Sequence, residues 1–291
     1  MRYYTDSCSL FVRGAFRAAS TGISGGIRNV TTLFNHTVSA QWDHPAPEKE
    51  IELVAAAAGA GRDVQGLLTA VPIQNLCVLQ YDFITVFVTA GIQKKATSAG
   101  TINIIAYSSE GFEDSALLEI IMVVSEAKAE ALLALGLNSG TPTDAVIAAC
   151  EGELKHRYAG RVTEPGQRVR DAVLRGVPEA LHRFDRDVQP SQPAFFIYSR
   201  LDGGHWVEWS SVNCPYYPCH FQGQSCDFCY CPFYPCKDET LGEWSPSSSN
   251  GRVWNCSRCT LLHEPDIAGY LKHYPDAPLE EIVRLRKRKI K

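Results

Sequence analysis

Eight of the eleven cysteines lie between Cys214 and Cys259, and sulfur at that density is the most chemically pointed feature of the chain. The thiols fall at Cys214 and Cys219, then Cys226, Cys229 and Cys231, then Cys236, and last Cys256 and Cys259. A Cys-x2-Cys pair can turn both sulfurs toward one ion, and tetrahedral Zn²⁺ takes four such ligands at about 2.3 Å. Eight thiolates fill two sites of four, and His220 or His263, each near a cysteine, can replace a thiolate in either. "CPYYPC" and "CPFYPC" are one hexapeptide apart from a single aromatic exchange, so each half is expected to supply equivalent ligands. Two structural zinc ions are the expectation, with a cysteine-held iron-sulfur cluster as the alternative. A segment of roughly 70 residues with few aliphatic positions buries too little surface to fold unaided, so metal binding would supply much of its stability. Cys8, Cys77 and Cys150 are scattered singly, and the last two sit in apolar runs as small core side chains.

The composition bounds the rest. With 291 residues, 45% apolar, 21% charged and a formal charge of -4, the chain reads as an ordinary globular protein of one medium domain plus an appendage. No run approaches the roughly 20 apolar residues of a membrane span, and the amino terminus lacks the pattern of a leader peptide. A cytoplasmic protein is therefore expected, and in a reducing compartment clustered cysteines bind metal more often than they form disulfides. "RLRKRKIK" places six basic residues in eight; without those six charges the remainder carries -10, so the segment reads as a solvated basic tail on an acidic body. Nucleic-acid binding is disfavoured, because Tyr216, Tyr217, Phe233 and Tyr234 are interleaved with cysteine and proline rather than with Lys and Arg. Those aromatics are expected to pack around the metals. Nothing in the sequence speaks to oligomeric state.

An α+β fold is expected for the first domain, with helices packed on a mainly antiparallel sheet, followed by the small cysteine-rich, metal-stabilised domain. "YDFITVFVTAG" and "TINIIAY" are β-branched and aromatic runs of strand length. From Phe112 to Leu135, apolar residues recur near helical spacing at Leu117, Ile121, Val124, Ala131 and Leu135, and Gly136 supplies a stop. "GQRVRDAVLRGVPEALHRF" predicts a polar-faced helix interrupted at Pro178. "AAAAGAGRDVQG" predicts a helix followed by a turn; it lacks the Lys-Ser/Thr ending of a phosphate loop. Gly22, Gly25 and Gly26 mark irregular backbone that a ligand or another segment can approach closely. A break at "RFDRDVQPSQPAFF" suggests domains over 1–185 and 195–278, a linker over 186–194 and the basic tail over 279–291.

Taken as one ordered set, "STGISGGIRNVTTLFNHTV", "VTAGI", "AGTINIIAY", "SEAKAEALLALG" and "GTPTDAVIAAC" resemble the adenosylcobinamide amidohydrolases of cobamide salvage, over roughly residues 5 to 182. The region from Cys214 to His273 is similar to a cysteine-rich, metal-binding small domain attached to such enzymes in archaea. The resemblance implies hydrolysis of the amide joining the corrin side chain to aminopropanol, releasing adenosylcobyric acid and 1-aminopropan-2-ol, with the corrinoid as substrate rather than cofactor. The competing reading is a non-catalytic corrinoid- or partner-binding protein with a zinc docking domain.

Amide hydrolysis needs an activated nucleophile, a proton shuttle to the departing amine and donors for the oxyanion. The resemblance lifts His36 of "FNHTVS" to the shuttle, with Asn35 and Thr37 as hydrogen-bond partners; a histidine bonded at a strand end is the bland reading. Asp144 is a helix N-cap by default; functionally, "GTPTD" would present Thr141 or Thr143 as nucleophile and Asp144 as carboxylate at a helix amino terminus. The family carries a more threonine- and glycine-rich version there, which leaves the nucleophile open. Glu126 falls on the stripe of Leu118 and Met122 as a general base or a structural acceptor. Asn103, alternating with Ile102 and Ile104, is expected to bind substrate or a neighbouring strand, and Gly25 and Gly26 to approach the substrate. Gln93, Lys94 and Lys95 replace the asparagine and alanine usual in the family.

Overall fold

The computed structural model describes residues 1–92, 100–199, 203–209, 214, 216–229, 231–247, 251–274 and 277–289. Two compact units emerge, one of Met1 with Thr5–Trp209 and one of Arg2–Tyr4 with Ser210–Lys291. Strands are numbered in chain order from β1 (Arg2–Thr5).

The first unit contains β2 (Ser9–Ser20), β3 (Gly26–Thr37), α1 (Pro47–Ala57), β4 (Val64–Thr69), β5 (Cys77–Tyr81), β6 (Ile84–Gly91), β7 (Thr101–Ser108), β8 (Gly111–Phe112), α2 (Asp114–Ala134), β9 (Ala145–Cys150), β10 (Leu154–His156), α3 (Glu164–Phe184), β11 (Ala194–Ser199) and β12 (His205–Trp209). The large sheet runs β12-β11-β5-β6-β7-β9-β2-β3-β4. Most neighbours are antiparallel; β11 with β5, β7 with β9 and β3 with β4 are parallel. This is the expected α+β arrangement.

Helices α2 and α3 cover one face, where Leu79, Val88, Ile104 and Ala148 meet Leu117, Ile120 and Val124 of α2 and Val169, Val173 and Val177 of α3. Every residue of β6 and β7 is buried, which explains why their sequences read as nearly continuous apolar runs. Their other face is closed by the sheet itself. Register slips between Arg13 and Phe16 of β2, and such a bulge bends a strand and tightens its twist. Beyond the bend, β3 and β4 fold back until Asn35 bonds Asn103 and Thr89, although β9 and β2 stand between β3 and β7 in strand order.

Three expectations change. The helix through Pro178 is continuous from Glu164 to Phe184: Thr163 caps it by accepting from Gly166 N at 3.2 Å, and burial of Val169, Val173, Val177 and Ala180 offsets the hydrogen bond that proline cannot make. The predicted start of the cysteine-rich domain at 195 falls inside β11, which pairs with β5 from Ala194↔Cys77 to Ile197↔Gln80; the first unit continues through β12 to Trp209. The two prolines mark the chain leaving α3 rather than leaving the unit. The predicted basic tail is in large part α5 (Leu279–Lys289); its Ile282 is fully buried, and Arg286 Nε meets Glu264 at 2.7 Å.

The second unit adds β13 (Glu243–Ser247) paired with β14 (Gly251–Asn255), and α4 (Pro265–His273) ahead of α5. Its small core gathers Leu261, Leu262, Ile267, Leu271 and Ile282, with Phe228 and Phe233 against it. Phe233 packs against this core, whereas Tyr216, Tyr217 and Tyr234 are exposed.

One close approach makes a test. A Cβ on Gly66 would stand 2.2 Å from the fully buried Phe34 ring. Gly66→Ala should therefore lower stability by about 1–3 kcal/mol in denaturant unfolding, the usual cost of overpacking a filled core.

Candidate active site

Asn35 and Asn103 form a buried polar link in the first unit. Asn103 Nδ2 donates to Asn35 Oδ1 and to Leu68 O, both at 2.9 Å, and Asn35 Nδ2 donates to Thr89 Oγ1 at 2.8 Å. Asn35 is 3% exposed and Asn103 1%. Neither amide is open to a ligand, so the expected roles of Asn35 beside His36 and of Asn103 on substrate give way to a structural one. Buried amides seek partners; both Nδ2 groups find theirs on neighbouring strands, while Asn103 Oδ1 is buried without a hydrogen bond among the described residues.

Side chains alternate along a strand, so His36 points away from Asn35. Its Nδ1 lies 2.8 Å from Ser9 Oγ, on the residue directly opposite it in β2. Its Nε2 lies 3.9 Å from Glu50 Oε1 of α1. Burial holds the imidazole below its ordinary pKa, against the opposing pull of Glu50 and then Asp6. With its side chain 18% exposed, His36 keeps contact with solvent and is neutral near pH 7. The expected partner Thr37 instead donates to Val71 O at 3.0 Å.

The "GTPTD" segment is a turn that leads into β9, not a helix amino terminus. Asp144 accepts from Ile102 N and Thr141 N at 2.9 Å each, from Thr141 Oγ1 at 2.6 Å, and from Lys128 Nζ of α2. The carboxylate thus ties β9, β7 and α2 together, and because a strand follows it the expected helix-capping role fails. Thr141 spends its hydroxyl on Asp144. Thr143 is exposed; its hydroxyl stands 2.9 Å from Thr101 Oγ1 and donates to Gly100 O at 3.1 Å.

Gly25 and Gly26 lie at the β2–β3 hairpin. Gly26 takes φ +96°, and a Cβ on Gly25 would meet Ser20 O at 2.3 Å, so the glycines serve the turn itself. The hairpin is laced to the start of β9 by Thr21 N donating to Val146 O and Val146 N to Thr21 Oγ1, both 2.9 Å. That sets it beside Asp144. Glu126 is exposed on α2 with Leu118 and Met122, outside the site; α2 buries Leu117, Ile120, Val124 and Ala127 instead. A helix apolar around most of its girth gives periodicity too little contrast to show which side turns inward.

A chain of contacts links the neighbourhood of His36 to Thr143. Thr37 bonds Val71, a Cβ on Gly91 would come 2.8 Å from Val71 Cγ2, Gly91 pairs with Thr101, and Thr101 reaches Thr143. Gln93, Lys94 and Lys95 lie outside the described residues. A separate cavity of about 420 Å³ is lined by Phe16, Arg17, Asn29, Asp63 and Glu151 among others, and includes none of the expected site residues. Ser9, Glu50, Thr89 and Lys128 were not legible beforehand, because only strand pairing and helix packing bring them to their partners.

In the second unit the eight thiols divide into two sets. Burial and then the neighbouring thiols of Cys219, Cys226 and Cys214 push Cys229 up to about 11. Burial likewise pushes Cys231 up to about 11, with Cys259, Cys236 and Cys256 adding to it against a backbone hydrogen bond from Phe233. Gln224 Nε2 donates to Cys219 Sγ at 3.2 Å and Cys226 Sγ at 3.3 Å, bridging two members of the first set. All eight are free thiols, and among the described residues no three His, Cys, Asp or Glu side chains stand close enough together to hold an ion. His220 and His263 pair with each other, ring centroids 4.4 Å apart, and His263 Nδ1 donates to Ser225 O at 2.9 Å. A cysteine-rich unit with two such sets is compatible with metal binding.

Residues 3–188 match the family model described as adenosylcobinamide amidohydrolase. The chain belongs to the adenosylcobinamide amidohydrolase family. Residues 205–286 match a model described as a cysteine-rich small domain. The chain is 37% identical over 195 residues to an adenosylcobinamide amidohydrolase of Methanosarcina mazei, covering 62% of this chain and 98% of that one. It is 31% identical over 191 residues to a Halobacterium salinarum protein of the same name, covering 58% and 81%. A 52-residue stretch, 18% of this chain, is 54% identical to part of a probable cobalt-factor III C(17)-methyltransferase of Methanothermobacter thermautotrophicus, 14% of that protein. No helix among the described residues is long and apolar enough to cross a membrane.

Within this amidohydrolase, Lys128→Met strips a cation from the largely buried Asp144 carboxylate. It should cost about 1.5–3 kcal/mol of stability, the usual worth of a hydrogen bond to a charged group, read as a lowered denaturation midpoint.

Proposed function

We propose that this protein hydrolyses the amide of adenosylcobinamide to adenosylcobyric acid and 1-aminopropan-2-ol, with a corrinoid as substrate. The observation that carries it is the family match over residues 3–188, together with the part-buried, neutral imidazole of His36. The competing non-catalytic binder is not favoured by two relatives that both carry the hydrolase name.

Neutral His36 accepts a proton from the attacking group and returns it to the departing amine nitrogen, so the amine leaves uncharged. Thr143 is the more exposed threonine of the pair, its hydroxyl bonded to Thr101 and Gly100 at the surface, whereas Thr141 is committed to Asp144. Asp144 holds the turn that presents Thr143.

For the second unit we assign two zinc ions, one to Cys214, Cys219, Cys226 and Cys229 and one to Cys231, Cys236, Cys256 and Cys259. The grouping of Cys219, Cys226 and Cys214 about Cys229 and of Cys259, Cys236 and Cys256 about Cys231 supports it, and in it each of the two hexapeptides opens one set. Bound zinc would contribute folding free energy, with no position left for substrate when all four ligands are thiolates. His220 and His263 fall outside both sets. Eight reduced thiols suit a cytoplasmic setting.

Purified protein incubated with adenosylcobinamide should release 1-aminopropan-2-ol, detected by mass spectrometry. His36→Ala should fold and lose about 10²–10⁴-fold in turnover, and the wild-type rate should fall on the acid side only below the ordinary imidazole value near 6.5, because burial lowers the pKa of His36. Thr143→Ala distinguishes an attacking threonine, whose loss abolishes turnover, from attacking water. Elemental analysis should find about two zinc ions per chain; iron in their place would reassign the cysteines to a cluster.

A further inference from the structure

The imidazole of His36 is held from two sides by residues that no motif announces. Ser9 is 2% exposed, so its hydroxyl is sealed from substrate and cannot be the attacking group. Its position is nevertheless tightly set. The strand register places it opposite His36, and Asp6 Oδ1 accepts from its backbone N at 2.6 Å. That leaves the hydroxyl 2.8 Å from Nδ1. A base that takes a proton at Nε2 must carry its own proton on Nδ1, and the hydroxyl oxygen fixed beside Nδ1 can accept from it in that tautomer. Glu50 comes from the first turn of α1 and stands 3.9 Å from Nε2, beyond hydrogen-bond length but well within the reach of charge. The charged groups facing this imidazole are Glu50 from α1 and Asp6 from the segment before β2, both anionic; on β4 the strand neighbours Leu67, Leu68 and Thr69 carry no charge.

We propose that Ser9 and Glu50 are positioning residues for His36, Ser9 holding Nδ1 and Glu50 stabilising the imidazolium that forms when Nε2 takes a proton. In the step this serves, an O–H bond of the attacking group breaks as its oxygen bonds the amide carbon, and the proton moves to Nε2. When the carbon–nitrogen bond then breaks, that proton passes to the amine nitrogen and His36 returns to neutral. Charge on the imidazole exists only between those two events, so an anion beside it lowers the energy of the intermediate more than that of the resting enzyme. The proposal rests on the hydrolase reading and on His36 as shuttle.

The test uses the full-length protein with adenosylcobinamide as substrate, paired with an NMR titration of the His36 ring nitrogens. Glu50→Gln should lower the pKa of His36 by about one unit, move the acid limb of the pH–rate profile down with it, and cut kcat about tenfold with KM unchanged. Ser9→Ala should cut kcat by about tenfold and Ser9→Thr, which keeps the hydroxyl, should restore most of it. A His36 titration unmoved by Glu50→Gln overturns the proposal, as does a moved titration with kcat intact. Circular dichroism on each variant identifies any that misfolds; for those, Glu50→Asp and Ser9→Thr carry the comparison. If the wild-type protein shows no turnover, the hydrolase reading fails, while the titration still decides whether Glu50 and His36 are coupled.

Discussion

The buried amide contact between Asn35 and Asn103 is the constraint on which the first unit turns. A sheet this long has two faces to cover, and α2 and α3 cover one of them. The other is covered because β2 bends at its bulge and carries β3 and β4 back over β6 and β7. Apolar contact alone is tolerant of sliding, since one aliphatic residue packs nearly as well as the next. An amide that must satisfy named donors and acceptors in a dry interior is not tolerant. The Asn103 bonds to Asn35 and to Leu68 O therefore set where the returning strands come to rest.

Function follows from that position. Asn35 faces inward, so its neighbour His36 faces the other way, toward Ser9 and the first turn of α1. The same returning strands carry Thr37 and Val71 to the rim where β6 and β7 end, and there Thr101 and Thr143 stand over the turn held by Asp144. The side chains most deeply buried are thus not the reactive ones. They decide which of their neighbours in sequence are presented.

Much of this could be read from the residues alone, and the limits have physical causes. Strands β6 and β7 and helix α2 were visible as runs, because residues buried on both faces leave no polar interruptions. The cysteine spacing marked the second unit. Asp144 misled because a small acidic residue ahead of an apolar run opens a helix and a strand equally well; only the partner β7, which supplies Ile102 N, decides between them. Pro178 misled because the expected break ignores the apolar face that holds α3 down on both sides of the proline. Glu50 and Ser9 were invisible in principle, since nothing local connects positions 9, 36 and 50.

The edge hairpin of β11 and β12 bears on how the enzyme half can be separated from its cysteine-rich companion. The family match stops at residue 188, yet Ala194 to Ile197 lie along β5 and are capped in turn by β12. A polypeptide trimmed to the matched segment would leave β5 with a bare row of amides and carbonyls flanked by apolar side chains, an adhesive margin for other copies of itself. Ending instead after Trp209 retains both protecting strands, so the natural place to cut is set by the sheet and lies some way past the limit of the family likeness.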